Sequence, residues 1–446
     1  MKEFDWTYLS NSQRDAALAR PEAMSDPSLI ANVAAIMAEV KQGGDKAVIG
    51  FTAKFDGVES PKLRIDMARC KAAWDALPAT DKAAMETAKA NILAFHSAQY
   101  PNNISVETMP GVNCRREARA IKAAGLYVPG GTAPLVSTLM MLALPAKVAG
   151  CEKRVIVTPP AKDGHINAAI LAAAYLCEVT DIFACGGAQA IAALAYGTET
   201  IPKCDKIFGP GNIYVAAAKS LAAQAPGGPA IDMPAGPSEA MVVADAMANP
   251  IFVASDLLSQ AEHDKVAQVI AVCSSNEVAA SIKTELKRQV ATLPRRDIAE
   301  AALSYARLFI AKTRADQLDI INAYAPEHLI MQVENPESYV SEIDNAGSIF
   351  LGPWTPESVG DYASGTNHTL PTYGAARAYS GVTLESFMKY ISVQELTRDG
   401  LRKLGPTVER LAEMEGLEAH KRAVSLRLAS NYGQESNQGQ ERNQDA

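Results

Sequence analysis

The chain has 446 residues, 48% of them apolar and 21% charged. That is the balance of an ordinary globular protein with more chain than one core organises, so two or more subdomains are expected. A formal net charge of −8 with no concentrated basic stripe excludes the electrostatic footprint of a nucleic-acid binder.

In chain order, the first 26 residues are an N-terminal segment with neither the apolar h-region of a signal peptide nor the Arg-rich pattern of a transit sequence, so a cytoplasmic location is expected. From about Pro27 to Ala98, helical patterns alternate with turn signals such as KQGGDKAV and KFDGVESPKL. The most apolar stretch, around Leu135 to Ala149, is interrupted by Pro145 and falls short of the roughly 18 residues a membrane span needs. No membrane partner is expected.

From Ile121 the rhythm changes to short apolar runs, each followed by a Gly or Pro turn and an Ala-rich helix: RVIVTPP then HINAAILAAAYLC, DIFACGG then AQAIAALAYG, DKIFGPG then NIYVAAAKSLAAQ, with a further strand at EAMVVAD. A second series follows, with AQVIAVCSS, a helix from Glu277 to Leu293, RLFIAKT, a helix near Leu318 to Tyr324, HLIMQV and GSIFLG. Beyond about Gly381 the chain reads as helix, and the final NYGQESNQGQERNQDA holds almost nothing to bury. The expected fold is α/β, with two Rossmann-like parallel-sheet domains and small helical N- and C-terminal modules. The expected boundaries are 1–26 for the N-terminal segment, 27–126 with 240–381 for the first α/β domain, 127–239 for the second, 382–430 for the helical module and 431–446 for a disordered tail.

Seven cysteines form an odd set without a C-x-x-C pair, which argues against disulfides and thiolate zinc knuckles. Cys114 or Cys151 as a nucleophile lacks a base nearby in sequence, and packing is the better account of both. Four of the six histidines, His263, His328, His368 and His420, stand beside acidic, amide or glycine-rich turn sequence. Each alone reads best as an ordinary half-buried histidine. Gln260 and His263 are three residues apart, on one face if their helix persists. Glu327 and His328 adjoin between Pro326 and an apolar strand, where carboxylate and imidazole can divide acid–base work.

Asp361 and His368 occupy a glycine-rich loop, and Glu415 and His420 lie in the helical module. Gln260, His263, Asp361 and His420 make a nitrogen and oxygen ligand set that suits Zn²⁺ while allowing Mn²⁺ or Co²⁺. A strand-linked G-x-G-x-x-G is absent. The turns YVPGG, ACGGAQA and FGPGN lie at strand-to-helix junctions able to hold a pyrophosphate, and plain β-α turns explain them equally well.

Taken together, GLYVPGGTAPLVSTLMMLALPAKVAGC, GGAQAIAALAYGTE, KIFGPGN, IDMPAGPSE, LLSQAEH, APEHL, GDYASGTNH and EGLEAH resemble the histidinol dehydrogenase family, in family order and up to about Leu428. The resemblance implies a homodimer that oxidises L-histidinol through bound L-histidinaldehyde to L-histidine, the last steps of histidine biosynthesis, with two NAD and one zinc per subunit. It implies zinc ligation by Gln260, His263, Asp361 and His420, the last from the partner subunit. It assigns proton transfer to His328 and activation of water to Glu327. Ser238, His368 and Glu415 fall at or beside substrate-contact positions, to which the zinc ligands and the Glu327–His328 pair also belong. NAD contacts map to Tyr127, Gln189 and Asn212. The alternatives are a related zinc- and NAD-dependent alcohol dehydrogenase of the same fold acting on another small polar alcohol, a zinc hydrolase with no redox step, and a non-catalytic metal-bound assembly protein.

Overall fold

The computed structural model describes residues 1–20, 27–59, 62–130, 134–234 and 236–430; the tail 431–446 and part of the YVPGG turn lie outside the described residues. The chain divides into two units. The larger takes Met1–Tyr100 and Ala120–Met388, the smaller residues 101–119 and those from Lys389 on.

The larger unit opens with β1 (Lys2–Asp5), α1 (Asn11–Leu18), α2 (Pro27–Asp56), α3 (Met67–Ala76) and α4 (Ala79–Ser97). The chain then makes β2 (Ile104–Met109) and β3 (Val112–Ala120), a hairpin of the smaller unit. A first β-α series follows: β4 (Ala123–Tyr127), α5 (Val136–Ala149), β5 (Lys153–Thr158), α6 (Ala168–Leu176), β6 (Asp181–Ala184), α7 (Gly187–Tyr196), β7 (Lys206–Phe208), α8 (Ile213–Gln224) and β8 (Ala230–Ile231). Its sheet has the order β6-β5-β4-β7-β8, all parallel.

The second series is β9 (Glu239–Ala244), α9 (Pro250–Ala261), β10 (Gln268–Cys273), α10 (Asn276–Val290), α11 (Arg296–Tyr305), β11 (Arg307–Ile310), α12 (Arg314–Tyr324), β12 (His328–Gln332), β13 (Ser348–Leu351) and α13 (Glu357–Tyr362). Its order is β1-β11-β10-β9-β12-β13, again parallel throughout. Two doubly wound parallel sheets are therefore present, as the alternating runs lead one to expect. Every residue of β9, β10 and β12 is buried, the mark of strands covered by helices on both faces.

The helices of 27–98, expected in one domain with the second series, instead pack on the first: Val33, Met37, Val40, Val48 and Phe51 of α2 share one core with Ile191, Leu194 and Val215. Periodicity reports that a helix has an apolar face, not which sheet will cover it. A second departure lies in the smaller unit. Besides α14 (Arg398–Met414) and α15 (Glu418–Ala429) it contains β14 (Met388–Leu396), which joins β3 and β2 in a three-stranded sheet of order β14-β3-β2 where helix alone was expected.

Candidate active site

The second sheet reverses its strand order between β9 and β12, and the candidate chemistry sits at the heads of those two strands. Helix α12 is closed by Ala325 in the left-handed conformation (φ 54°), and Pro326 prevents further helix. The chain thus enters β12 with Glu327 and His328, both about 95% buried, at its first turn. Register sets His328 opposite Ala240 of β9 and Ser348 of β13. Gly347 keeps this junction tight: a Cβ there would stand 2.5 Å from the Glu327 carbonyl oxygen.

The backbone of one residue governs the pair. The Glu239 N–H donates to Glu327 Oε2 at 2.8 Å, and His328 Nδ1 donates to the Glu239 carbonyl at 3.0 Å. A carbonyl only accepts, so Nδ1 carries the proton and Nε2 is the free position of the neutral ring. Asp361 Oδ1 lies 3.4 Å from Nε2. Glu357 Oε1 is 3.6 Å from Nδ1, while its Oε2 accepts from the Ser259 hydroxyl at 3.0 Å. Glu357 and Asp361 are four residues apart on α13, which aims both carboxylates the same way.

Burial dominates the electrostatics. It pushes the Glu327 carboxyl up to about 8, against the pull of His328 and the Glu239 N–H, and the Glu357 carboxyl up to about 7. Burial also disfavours charge on His328, but Glu357, Glu327 and Asp361 outweigh it and raise the imidazole well above its ordinary value. Asp361 moves the other way, held down by His328 in spite of its burial. The ligand atoms of His328, Glu357 and Asp361 lie within 4.8 Å of one another, the one such cluster among the described residues. Buried His328 Nε2 and Glu357 Oε1 make no hydrogen bond. The Asp361 carboxylate that faces Nε2 is a group whose charge a cation would neutralise.

The remaining residues singled out by sequence distribute as follows. Gln260 is buried at the end of α9, and His263 comes just beyond it: the helix stops at Ala261, and the His263 N–H bonds back to the Gln260 carbonyl at 3.2 Å. A tight final turn, not a continuing helix face, keeps these two together. His263 retains an exposed face, yet burial of the rest holds its imidazole below the ordinary value, with Asp361 opposing. His368 is half-buried; its Nε2 meets Thr138 Oγ1 of α5 at 2.8 Å, burial lowers its pKa, and Asp361 pulls it back. Ser238, half-buried, immediately precedes β9. Glu415 and His420 belong to the smaller unit, at the end of α14 and in α15, and both are exposed in the single chain. Glu357 escaped the sequence reading, although its spacing from Asp361 was a usable signal.

The first sheet carries a separate cavity of about 800 Å³ at the carboxyl ends of its strands, where Tyr127, Thr158, Pro159, Gly187, Gln189 and Asn212 converge. Its switch point, between β4 and β7, is where such sheets bind nucleotides. The Tyr127 hydroxyl accepts the Gly187 N–H at the start of α7, and Asn212 caps α8 by accepting from Tyr214 and Val215 N–H. Gly209 makes the approach possible. At φ 117° it presses on the Tyr127 carbonyl so closely that a Cβ would lie 2.1 Å from that oxygen.

The cysteines supply no rival centre. All seven are free, six are buried, and burial pushes the Cys151 thiol up to about 11. Among the described residues no helix is long and apolar enough to cross a membrane.

Comparison with known proteins bears directly on this geometry. The profile of the histidinol dehydrogenase family matches residues 19–428. The chain is 49% identical over 424 residues to the histidinol dehydrogenase of Colwellia psychrerythraea, covering 95% of this chain and 98% of the relative. It is 50% identical over 429 residues to the chloroplastic histidinol dehydrogenase of Arabidopsis thaliana, covering 96% and 91%. The crystal structure of histidinol dehydrogenase from Elizabethkingia anophelis superposes with a TM-score of 0.92 at 46% identity, over 96% of this chain and 98% of that one.

Proposed function

The chain belongs to the histidinol dehydrogenase family, and from that premise we propose that it oxidises L-histidinol through bound L-histidinaldehyde to L-histidine, using zinc and two NAD as a cytoplasmic homodimer. It is an oxidoreductase of amino-acid biosynthesis. The observation that carries the reading is the Glu327–His328 pair, locked by the Glu239 backbone with a carboxylate facing His328 Nε2.

In the first oxidation, His328 Nε2 takes the hydroxyl proton of the alcohol while the carbinol C–H leaves as hydride, the species NAD is there to accept. The Glu239 carbonyl fixes the ring tautomer, and the surrounding carboxylates stabilise the imidazolium that forms. Zinc, held by Gln260, His263 and Asp361 of one chain and His420 of the partner subunit, would supply an anchor for the substrate's nitrogen atoms and a positive charge that relieves His328 of Asp361. His263 and Asp361 interact electrostatically across the site, which fits this set.

In the second oxidation, water adds to the aldehyde carbon and Glu327 receives the proton. The gem-diol monoanion left by that transfer becomes the carboxylic acid when its carbon-bound hydrogen departs as hydride, which a second NAD would accept. A carboxyl raised by burial is a stronger base than a solvated one, which suits Glu327 to this step. The Tyr127, Gln189 and Asn212 cavity is the proposed NAD site: it stands at a switch point and presents helix N-termini for a pyrophosphate.

Stopped-flow turnover of alcohol and aldehyde substrates tests the division of labour. His328→Ala is expected to lose nearly all activity in both steps, at least about 10²-fold, and Glu327→Gln mainly in aldehyde oxidation. Equal loss in both steps for Glu327→Gln would remove the division.

A further inference from the structure

We propose that Arg20 is a positioning residue for the Glu327–His328 pair and acts through Glu239; the inference rests on the assignment of that pair as the acid–base machinery. Glu239 opens β9 with its side chain completely buried, where a carboxylate persists only if paired and hydrogen-bonded. Its partner comes from 219 residues away. Arg20 grips it as a fork, Nε on Oε1 and Nη2 on Oε2, the latter at 2.8 Å.

Arg20 is anchored in turn. Its Nη2 also donates to the Tyr324 carbonyl at 2.8 Å, and its guanidinium carbon lies 3.8 Å from the centre of the Tyr324 ring. Tyr324 is the last residue of α12, three before Glu327. The guanidinium therefore ties together the start of β9 and the end of α12, the two points from which the functional groups emerge. Between them stands the Glu239 backbone, whose N–H holds Glu327 Oε2 and whose carbonyl holds His328 Nδ1. Turning Glu239 about its own backbone would misplace both groups at once. The reaction uses neither the Arg20 nor the Glu239 side chain directly, so a buried ion pair is present whose evident effect is on the backbone of Glu239 that it immobilises.

The test compares four full-length variants: Arg20→Met, Arg20→Lys, the double variant Arg20→Met/Glu239→Gln and, as a stability control in the same core, Trp6→Phe. Arg20→Met should lower kcat about ten-fold or more, with KM for histidinol and for NAD held within about two-fold. Arg20→Lys should recover part of the loss, since a point charge reaches one carboxylate oxygen but not both. The double variant leaves no buried charge unpaired and should melt near the parent while remaining slow; it keeps the test decisive if Arg20→Met does not fold. The proposal is overturned if folded Arg20→Met keeps parental kcat, if the double variant regains both stability and kcat, or if Trp6→Phe slows turnover equally at equal loss of stability. His328→Ala assayed in parallel separates the two readings: full activity there would sink the assignment of the pair itself.

Discussion

Asp256 illustrates what burial does to a single carboxyl. It lies on the inner face of α9 with one long contact, the Gln332 amide at 3.4 Å, and burial pushes it up to about 6. Its folded pKa thus exceeds the unfolded one, so the native state binds the proton more tightly and the group costs stability. That cost is absent below the unfolded value, about 3.9, and complete above the folded one. Asp256→Asn should therefore stabilise the protein at pH 7.5 by up to about 3 kcal/mol, with the gain gone at pH 3.5. Urea melts at both pH values check this; an equal gain at both would mean that the carboxyl does not titrate between them. Residue types of this kind were legible in the sequence only where a motif framed them. Gln260, His263, Glu327, His328 and Asp361 stand in recognisable strings, whereas Glu357 shows itself only through its four-residue spacing from Asp361, and Glu239 contributes a backbone carbonyl that any residue type would carry.

The elements read more easily than their partners. Apolar runs such as RVIVT and AMVVA announce buried parallel strands because helices cover both faces, and both series were visible for that reason. β14 was not: only Met388 of its nine residues is buried in the single chain, so no half-buried face imprints a period of two. Close approach of elements is equally silent in sequence, and Gly347 is a case in point. Its N–H bonds the Pro326 carbonyl at 2.9 Å while its Cα side faces the Glu327 carbonyl. Gly347→Ala should force β13 away from the head of β12, costing about 1–3 kcal/mol of stability and lowering kcat through Glu327. Unchanged melting temperature and turnover would show that the junction yields without consequence.

For the whole molecule, the decisive question is whether His420, a residue of the smaller unit, serves as a ligand at all and in which subunit's site. Under the proposed reading, the partner subunit supplies it, and complementation tests that directly. Asp361→Asn and His420→Asn should each be inactive and bind less metal. Unfolded, mixed and refolded together, half of the dimers would be hybrids with one intact site each, giving about a quarter of parental activity. No recovery on mixing would place His420 in the site of its own chain. The two-sheet architecture was legible because each sheet writes its own strand series, while the docking of α2 on the first sheet depends on contacts that no local pattern records.

The most direct measurement follows NADH formation from L-histidinol by the purified protein, with histidine quantified alongside, before chelation, after it, and after zinc is restored. Two NADH per histidine, lost with the metal and recovered with zinc, is the predicted result. NADH and histidine in any other ratio, or turnover that survives removal of NAD or of the metal, would contradict the account.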